Sequence, residues 1–185
     1  MKKIIALGGS NSRNSINRTL AKYAASRIDN TKTVVVDLND YNLPLYGIDT
    51  ERENGIPEDA IRLNSTLDSA DGLVISLAEH NGSYSTAFKN AFDWLSRIDK
   101  NVWKNKPMLL MATSPGGRGG SSVLQTAKTT FPHLGGNIIA DFSLPSFNAN
   151  FSEEGIIDKS TSLKDSESHS FIITLSILRK IALDY

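Results

Sequence analysis

The apolar residues of this chain fall into short unbroken runs, and between those runs they recur at helical spacing. The first run, Ile4-Ile5-Ala6-Leu7, is stopped by Gly8-Gly9 and predicts a strand. Across 15–28, Ile16, Leu20, Tyr23/Ala24 and Ile28 share one helical face, which predicts a helix. Val34-Val35-Val36 is a β-branched second strand that closes at Asp37. After an irregular stretch with Pro44, a helix is expected to start at Pro57, with Glu58 and Asp59 beside its positive end. The cycle then repeats. Leu73-Val74-Ile75-Ser76-Leu77 predicts a strand, and 84–97 a helix with Ala87/Phe88, Ala91/Phe92 and Leu95 inward. Met108-Leu109-Leu110-Met111 predicts a strand with Pro107 at its start, since proline suits a strand's first residue better than its middle. A helix over 121–131 is closed by Pro132 and Gly135-Gly136, and Ile138-Ile139-Ala140 makes a fifth strand. The last ~20 residues predict a helix with Ile172/Ile173, Leu175, Leu178 and Ile181/Ala182 on its buried side.

Strands without polar alternation are buried on both faces, so five of them separated by helices predict an α/β fold with a parallel sheet covered on both sides. A chain of 185 residues suits one core, and no linker or repeat divides it, so a single domain over 1–185 is expected. In open parallel sheets ligands sit at the carboxyl ends of the strands, near the switch in strand order. The loops after strands one, three and four are therefore where chemistry is expected.

Loop one runs Gly8-Gly9-Ser10-Asn11-Ser12-Arg13-Asn14-Ser15-Ile16-Asn17. Its glycines permit a sharp turn, and the helix that opens at Ile16 offers unpaired N–H groups at a positive dipole end. The hydroxyls of Ser10, Ser12 and Ser15 and the Asn17 amide are candidate donors to a phosphate. Serine and asparagine also cap helices and shape turns, but their density directly after strand one favours an anion cradle. The stretch has neither the P-loop spacing with its lysine nor G-x-G-x-x-G, and Ser12 rules out a G-x-S-x-G elbow around Ser10. Loop two, Ala78-Glu79-His80-Asn81-Gly82-Ser83-Tyr84, gathers polar groups and an aromatic at a strand end, where a flat heterocycle has a place to rest. A lone loop histidine such as His80 is more often a bystander than an acid or base. Loop three, Ser114-Pro115-Gly116-Gly117-Arg118-Gly119-Gly120, has four glycines in five positions. Glycine so dense costs folding entropy, and close approach of backbone to a ligand explains it better than a merely flexible loop.

Charge and cysteine content narrow the chemistry. Lys+Arg and Asp+Glu both total 20, which argues against nucleic acid as the main partner. The absence of cysteine excludes disulfides, thiolate catalysis and Cys-type zinc sites, and no metal site is expected. The apolar stretch after Met1-Lys2-Lys3 is too short for a secretory leader, and no run approaches the ~20 residues of a membrane helix, so a cytoplasmic protein with no membrane partner is expected.

Together the loops resemble the NAD(P)H-dependent FMN reductase family, which includes quinone, azo-dye and chromate reductases. Gly9, Ser10, Ser15 and Asn17 match the family's G-S-x-R-x-x-S-x-N phosphate loop, with Ser12 where many members carry Arg. Glu79-His80-Asn81-Gly82-Ser83-Tyr84 through Lys89-Asn90-Ala91-Phe92-Asp93-Trp94 is similar to P-E-Y-N-x-S-x-P-x-x-L-K-N-A-I-D-W. Ala78, His80 and Ser85 depart from it where Pro, Tyr and Pro are common. Ser114-Pro115-Gly116-Gly117-Arg118-Gly119-Gly120 resembles S-P-G-G-x-x-G, and Phe151-Ser152-Glu153-Glu154-Gly155 resembles F-D-E-D-G. The resemblance implies a flavodoxin-like three-layer sandwich of strand order 2-1-3-4-5 with FMN at the carboxyl edge. Ser10, Ser12, Ser15, Ile16 and Asn17 would hold the phosphate. Glu79, His80, Asn81, Gly82, Ser83 and Tyr84, with Ser114, Pro115, Gly116, Gly117 and Arg118, would surround the ring. It further implies hydride from NADPH or NADH, with Arg118 a candidate for the nucleotide's phosphates, and a small-molecule acceptor (quinone, azo compound, metal oxyanion or free flavin) in ping-pong turnover. No side chain is needed as a catalytic nucleophile. A homodimer or homotetramer is implied, for which the faces of 87–98 and the aromatics Trp94 and Trp103 are candidate contacts. Two other readings stand beside this one. One is a serine hydrolase with Ser10 as nucleophile and His169 with Asp165 or Glu167. The other is a non-catalytic flavin carrier, although such carriers are usually strongly acidic.

Overall fold

The structure, a computed structural model, describes residues 1–157. The expected last helix, and with it Asp165, Glu167 and His169, lies outside the described residues. Five strands, β1 (Lys2–Gly9), β2 (Thr31–Val36), β3 (Gly72–Leu77), β4 (Pro107–Thr113) and β5 (Asn137–Leu144), form one sheet. All neighbours are parallel and the spatial order is β2-β1-β3-β4-β5, the expected 2-1-3-4-5. The chain goes outward from β1 to β2 and then crosses back to β3, so the order reverses at the β1/β3 boundary and leaves a crevice there. In register, Gly9 lies beside Leu77 and Leu77 beside Ala112, so loops one, two and three leave the sheet side by side.

Alternation along each strand sorts the core into two layers. Ile4, Ala6, Val74, Leu109 and Met111 face α1 (Ile16–Ser26), which buries Leu20, Ala21, Ala24 and Ala25 against them. Ile5, Leu7, Leu73, Ile75, Met108 and Leu110 face the opposite layer. That layer holds Leu63 and Leu67 of α3 (Glu58–Asp68), Phe88, Ala91, Phe92 and Leu95 of α4 (Thr86–Ile98), and Val123, Leu124 and Ala127 of α5 (Ser121–Thr130). Helix α1 sits directly on its strand. A Cβ on Gly8 would lie 2.6 Å from the Arg18 backbone, so any side chain there would push the helix away.

The departures from the sequence reading have local causes. Pro57 is the N-cap of α3 rather than its first helical residue. The irregular stretch contains α2 (Ile48–Asn54), which buries no residue and so leaves no apolar period to read. Helix α4 begins at Thr86, because residues 79–84 fold as a hairpin and Ser85 caps the helix. The fifth strand outlasts its apolar run, since Asp141 and Ser143 interrupt the pattern without ending the pairing. Trp94 and Trp103, candidate subunit contacts with core packing the other reading of Trp94, are both fully buried within this chain. Trp103 packs 4.4 Å from Phe131 and 5.4 Å from Phe92 between ring centroids, and the Trp94 indole N–H donates to the Pro44 carbonyl at 2.7 Å.

Candidate functional site

In loop one the buried Ser10 turns the chain. Its N–H donates to the Gly8 carbonyl at 2.8 Å, and its hydroxyl accepts the Ser12 N–H at 3.1 Å. The Ser15 hydroxyl caps α1 by accepting the Arg18 N–H at 3.1 Å, and the Ser15 carbonyl accepts the Thr19 N–H at 3.1 Å. Two of the helix's opening donors, the N–H groups of Ile16 and Asn17, are left with no acceptor among the described residues. They sit at the positive end of an 11-residue helix, where an anion is favoured. The Asn17 side chain has a different part from the one expected of it. Its Oδ1 accepts from the Ser76 hydroxyl at 2.7 Å and the Thr113 N–H at 3.0 Å, while Nδ2 donates to the Thr113 carbonyl at 3.1 Å. It is a buried clamp between α1, β3 and β4. What residue 17 offers a ligand is chiefly its backbone N–H.

Arg18 fixes the loop from outside, its guanidinium donating to the Asp37 carboxylate and to the Arg13 carbonyl. Burial works to raise the Asp37 pKa, but hydrogen bonds from the Asn39 N–H and amide, together with the Arg18 charge, outweigh it and hold the carboxyl below its ordinary value.

Loop two is a hairpin in which Glu79 and His80 pair with Tyr84 and Ser83 around Asn81 (φ 51°) and Gly82 (φ 78°). Positive φ at both turn residues is the type I′ hairpin connection, which Asn-Gly favours. The fold itself engages both ends of this segment. The Glu79 carboxylate accepts the Val123 N–H at 3.0 Å and lies 3.8 Å from the Arg118 guanidinium. The Tyr84 hydroxyl pairs with that of Thr130 at 2.9 Å, and its ring packs 5.4 Å from Phe88, in the aromatic layer rather than over the sheet edge. Burial raises the Tyr84 pKa, partly offset by the Thr130 hydrogen bond. Ser85, where the resembling motif has proline, accepts the Phe88 N–H at 3.2 Å and donates to the Gly9 carbonyl at 2.7 Å, joining loop two to loop one. The tip, His80 through Ser83, stays exposed.

Loop three is built rather than slack. The Gly116 carbonyl accepts from the Ser114 hydroxyl, the Gly119 N–H and the Ser146 N–H at 3.0–3.2 Å. Its glycines divide into two pairs. A Cβ on Gly119 (φ 59°) would meet Ser143 Oγ at 2.4 Å, and one on Gly120 (φ 77°) would meet Ala112 Cβ at 2.9 Å, so the protein's own packing requires both. Among the described residues, a Cβ on Gly117 would meet nothing within 4 Å, and one on Gly116 only Ser114 Oγ at 3.9 Å. The packing gives no reason for this second pair to be glycine. Room for a ligand beside the backbone does. Arg118, between the pairs, is 80% exposed.

A cleft of about 610 Å³ adjoins the exposed His80. Asn11, Leu38, Asn42, Leu43 and Ala87 contribute to its walls, and among the described residues no Lys, Arg, Asp or Glu lines it. The 38–45 wall carries no motif or periodicity that would mark it in the sequence. Among the described residues, no group of three His, Asp or Glu comes together to hold a metal, and no helix is long and apolar enough to cross a membrane.

A family model described as NADPH-dependent FMN reductase matches residues 2–149. The chain belongs to the NADPH-dependent FMN reductase family. A quinone reductase of Escherichia coli strain K12 is 35% identical over 124 residues, covering 64% of this chain and 63% of that protein. The chain thus spans slightly under two thirds of that relative's length. An NADPH azoreductase of Bacillus sp. strain OY1-2 is 29% identical over 138 residues, 74% of this chain and 72% of that protein. The solved structure of FerB, a flavoenzyme NAD(P)H:(acceptor) oxidoreductase of Paracoccus denitrificans, superposes with a TM-score of 0.71 at 24% identity over 96% of both chains, which establishes the shared flavodoxin-like fold.

The NADPH-dependent FMN reductase family implies a flavin mononucleotide, and the residues present fit one. Unpaired N–H groups stand where a phosphate would sit, and open space at Gly116 and Gly117 stands where a ring would pass. The hydrolase alternative gains no support from these matches, which are to reductases, and its His169 lies outside the described residues.

Proposed function

We propose that the chain is an FMN-dependent oxidoreductase that takes hydride from NADPH or NADH and passes the electrons to a small-molecule acceptor of the quinone or azo class. The observation that carries this reading is that two features with no partner among the described residues lie at one sheet edge: the Ile16 and Asn17 N–H groups and the open flank of Gly116-Gly117. FMN, when bound, supplies the hydride chemistry, and the protein's share is orientation and electrostatics. The Ile16 and Asn17 N–H groups hold the phosphate, helped by the hydroxyls of Ser10, Ser12 and Ser15. The hairpin tip at His80–Ser83 and the Ser114–Gly117 backbone would hold the ring for reaction with a second substrate. Arg118, exposed and positive, meets the nucleotide's phosphates.

The names of the relatives, quinone reductase and NADPH azoreductase, support the acceptor class. The domain is single over 1–185, acts in the cytoplasm, and pairs as a homodimer or homotetramer. The buried Trp94 and Trp103 take no part in that pairing, whereas Leu45 and Ile48, 75% and 47% exposed, are apolar surface that a second copy would cover. A formal net charge of zero supports neither nucleic acid nor an anionic membrane as partner. The test is steady-state kinetics of FMN-loaded protein with NADPH and a quinone both varied. Parallel double-reciprocal lines are expected, and intersecting lines would exclude the ping-pong order. Protein that holds FMN without oxidising NADPH or NADH would be a carrier instead.

A further inference from the structure

Helix α5 starts without a cap of its own. Its N-cap is Gly120, which has no side chain to accept the orphan donors of the first turn. The Ser121 and Leu124 N–H groups find the carbonyls of Arg118 and Gly120, and the Val123 N–H goes to Glu79, 44 residues earlier in the chain. A capping side chain normally comes from the residue just before the helix. Here it comes from the neighbouring loop. The same hairpin is also fastened to the last turn of α5 through Tyr84 and Thr130. Loop two therefore lies along α5, tied at both ends, and moves with loop three, from which α5 springs.

The tie is a carboxylate, although a neutral amide oxygen can also accept the Val123 N–H, less strongly. Its side chain is only 10% exposed, and burying a charge is costly unless it is compensated. Two positive features compensate it: the α5 dipole end and Arg118 at 3.8 Å, which is charge attraction rather than a hydrogen bond. We propose that Glu79 is a positioning residue for the flavin, whose carboxylate joins the two walls of the ring seat into one body and places a fixed negative charge beside it. This rests on the flavin reading above. Two consequences follow, one geometric and one electrostatic. Without the tie the walls part and the seat loosens. Without the charge, adding electrons to the bound flavin becomes easier.

Glu79→Ala removes tie and charge, whereas Glu79→Gln keeps an acceptor and removes the charge alone. In fluorescence titrations with FMN, Glu79→Ala is expected to bind about tenfold more weakly, as for loss of a helix cap, and Glu79→Gln to recover most of that loss. The midpoint potential of FMN bound to Glu79→Gln is expected to lie above that of the unsubstituted protein. Unchanged FMN affinity in Glu79→Ala, or an unchanged potential in Glu79→Gln, would overturn the proposal. If the unsubstituted protein takes up no FMN, the flavin reading falls by itself. Amide exchange at Val123 still reads the tie in that case: faster exchange in Glu79→Ala upholds it, and equal exchange removes it.

Discussion

Loops one and two leave the same sheet edge with similar densities of polar residues, yet the fold treats them differently. In loop two it engages Glu79, Tyr84 and Ser85, whose partners are a helix N–H, a helix hydroxyl and the backbone of loop one. In loop one the Ser15 and Asn17 side chains are similarly engaged, but the backbone N–H groups of Ile16 and Asn17 have no acceptor among the described residues. Loop three repeats the division within five residues, with Gly119-Gly120 required by packing and Gly116-Gly117 by nothing among the described residues. A polar or glycine-rich edge is thus a mixture of groups that build the site and groups left over to meet a ligand. Substitutions separate the two kinds, because the first kind moves stability and the second moves binding.

Asn17→Ala should have the largest effect on stability. It strands the Ser76 hydroxyl and the Thr113 N–H and carbonyl in a buried place, at about 1–3 kcal/mol for each unsatisfied group, or about 4 kcal/mol together. Urea unfolding measures it, and a loss below about 1 kcal/mol would return the Asn17 amide to the ligand-binding set. Gly119→Ala should cost about 3 kcal/mol, from a clash with Ser143 and a backbone angle that L side chains rarely adopt. Gly117→Ala is its counterpart. Its stability should stay within about 0.5 kcal/mol of the parent, while FMN affinity falls because a methyl group enters the ring's space. A stable Gly117→Ala protein with undiminished FMN affinity would break the division of loop three.

Arg118→Ala should lower stability and FMN affinity only slightly, because the exposed guanidinium's 3.8 Å approach to Glu79 is one of two features that compensate the carboxylate and the α5 dipole end remains. Its KM for NADPH should rise about tenfold, as for loss of a charge-assisted phosphate contact, and an unchanged KM would remove Arg118 from the donor site. The smallest effect belongs to Asp37, which holds Arg18 behind loop one. Its folded pKa lies below the ordinary 3.8, so its stabilisation is complete above the unfolded value and is lost as pH falls through the folded one. Asp37→Asn should therefore lower stability by under about 1 kcal/mol at neutral pH, with the gap closing below about pH 4. A gap independent of pH would assign the loss to packing instead.

What the sequence made legible and what it hid follow from the range of the interactions. Unbroken runs such as Ile4–Leu7 and Met108–Met111 report burial on both faces, and they gave away the five strands and the edge where loops one to three converge. Helix α2 was hidden because it buries nothing, and the 79–84 hairpin because two-residue strands are too short to show a period. The parts played by Asn17 and Glu79 were hidden for another reason. Their partners lie up to 96 and 44 residues away, so an amide and a carboxylate that look like ligand groups in sequence become structural only when β3, β4 and α5 arrive beside them. The 38–45 wall of the cleft lacks both motif and period, and only the packed chain places it near His80.

The most direct test of the central claim is the visible spectrum of the protein titrated with FMN and then given NADPH without oxygen. Binding is expected to quench flavin fluorescence and shift the absorption band, and NADPH is then expected to bleach the bound flavin. A spectrum identical to that of free FMN throughout, with no bleaching, would contradict the central claim.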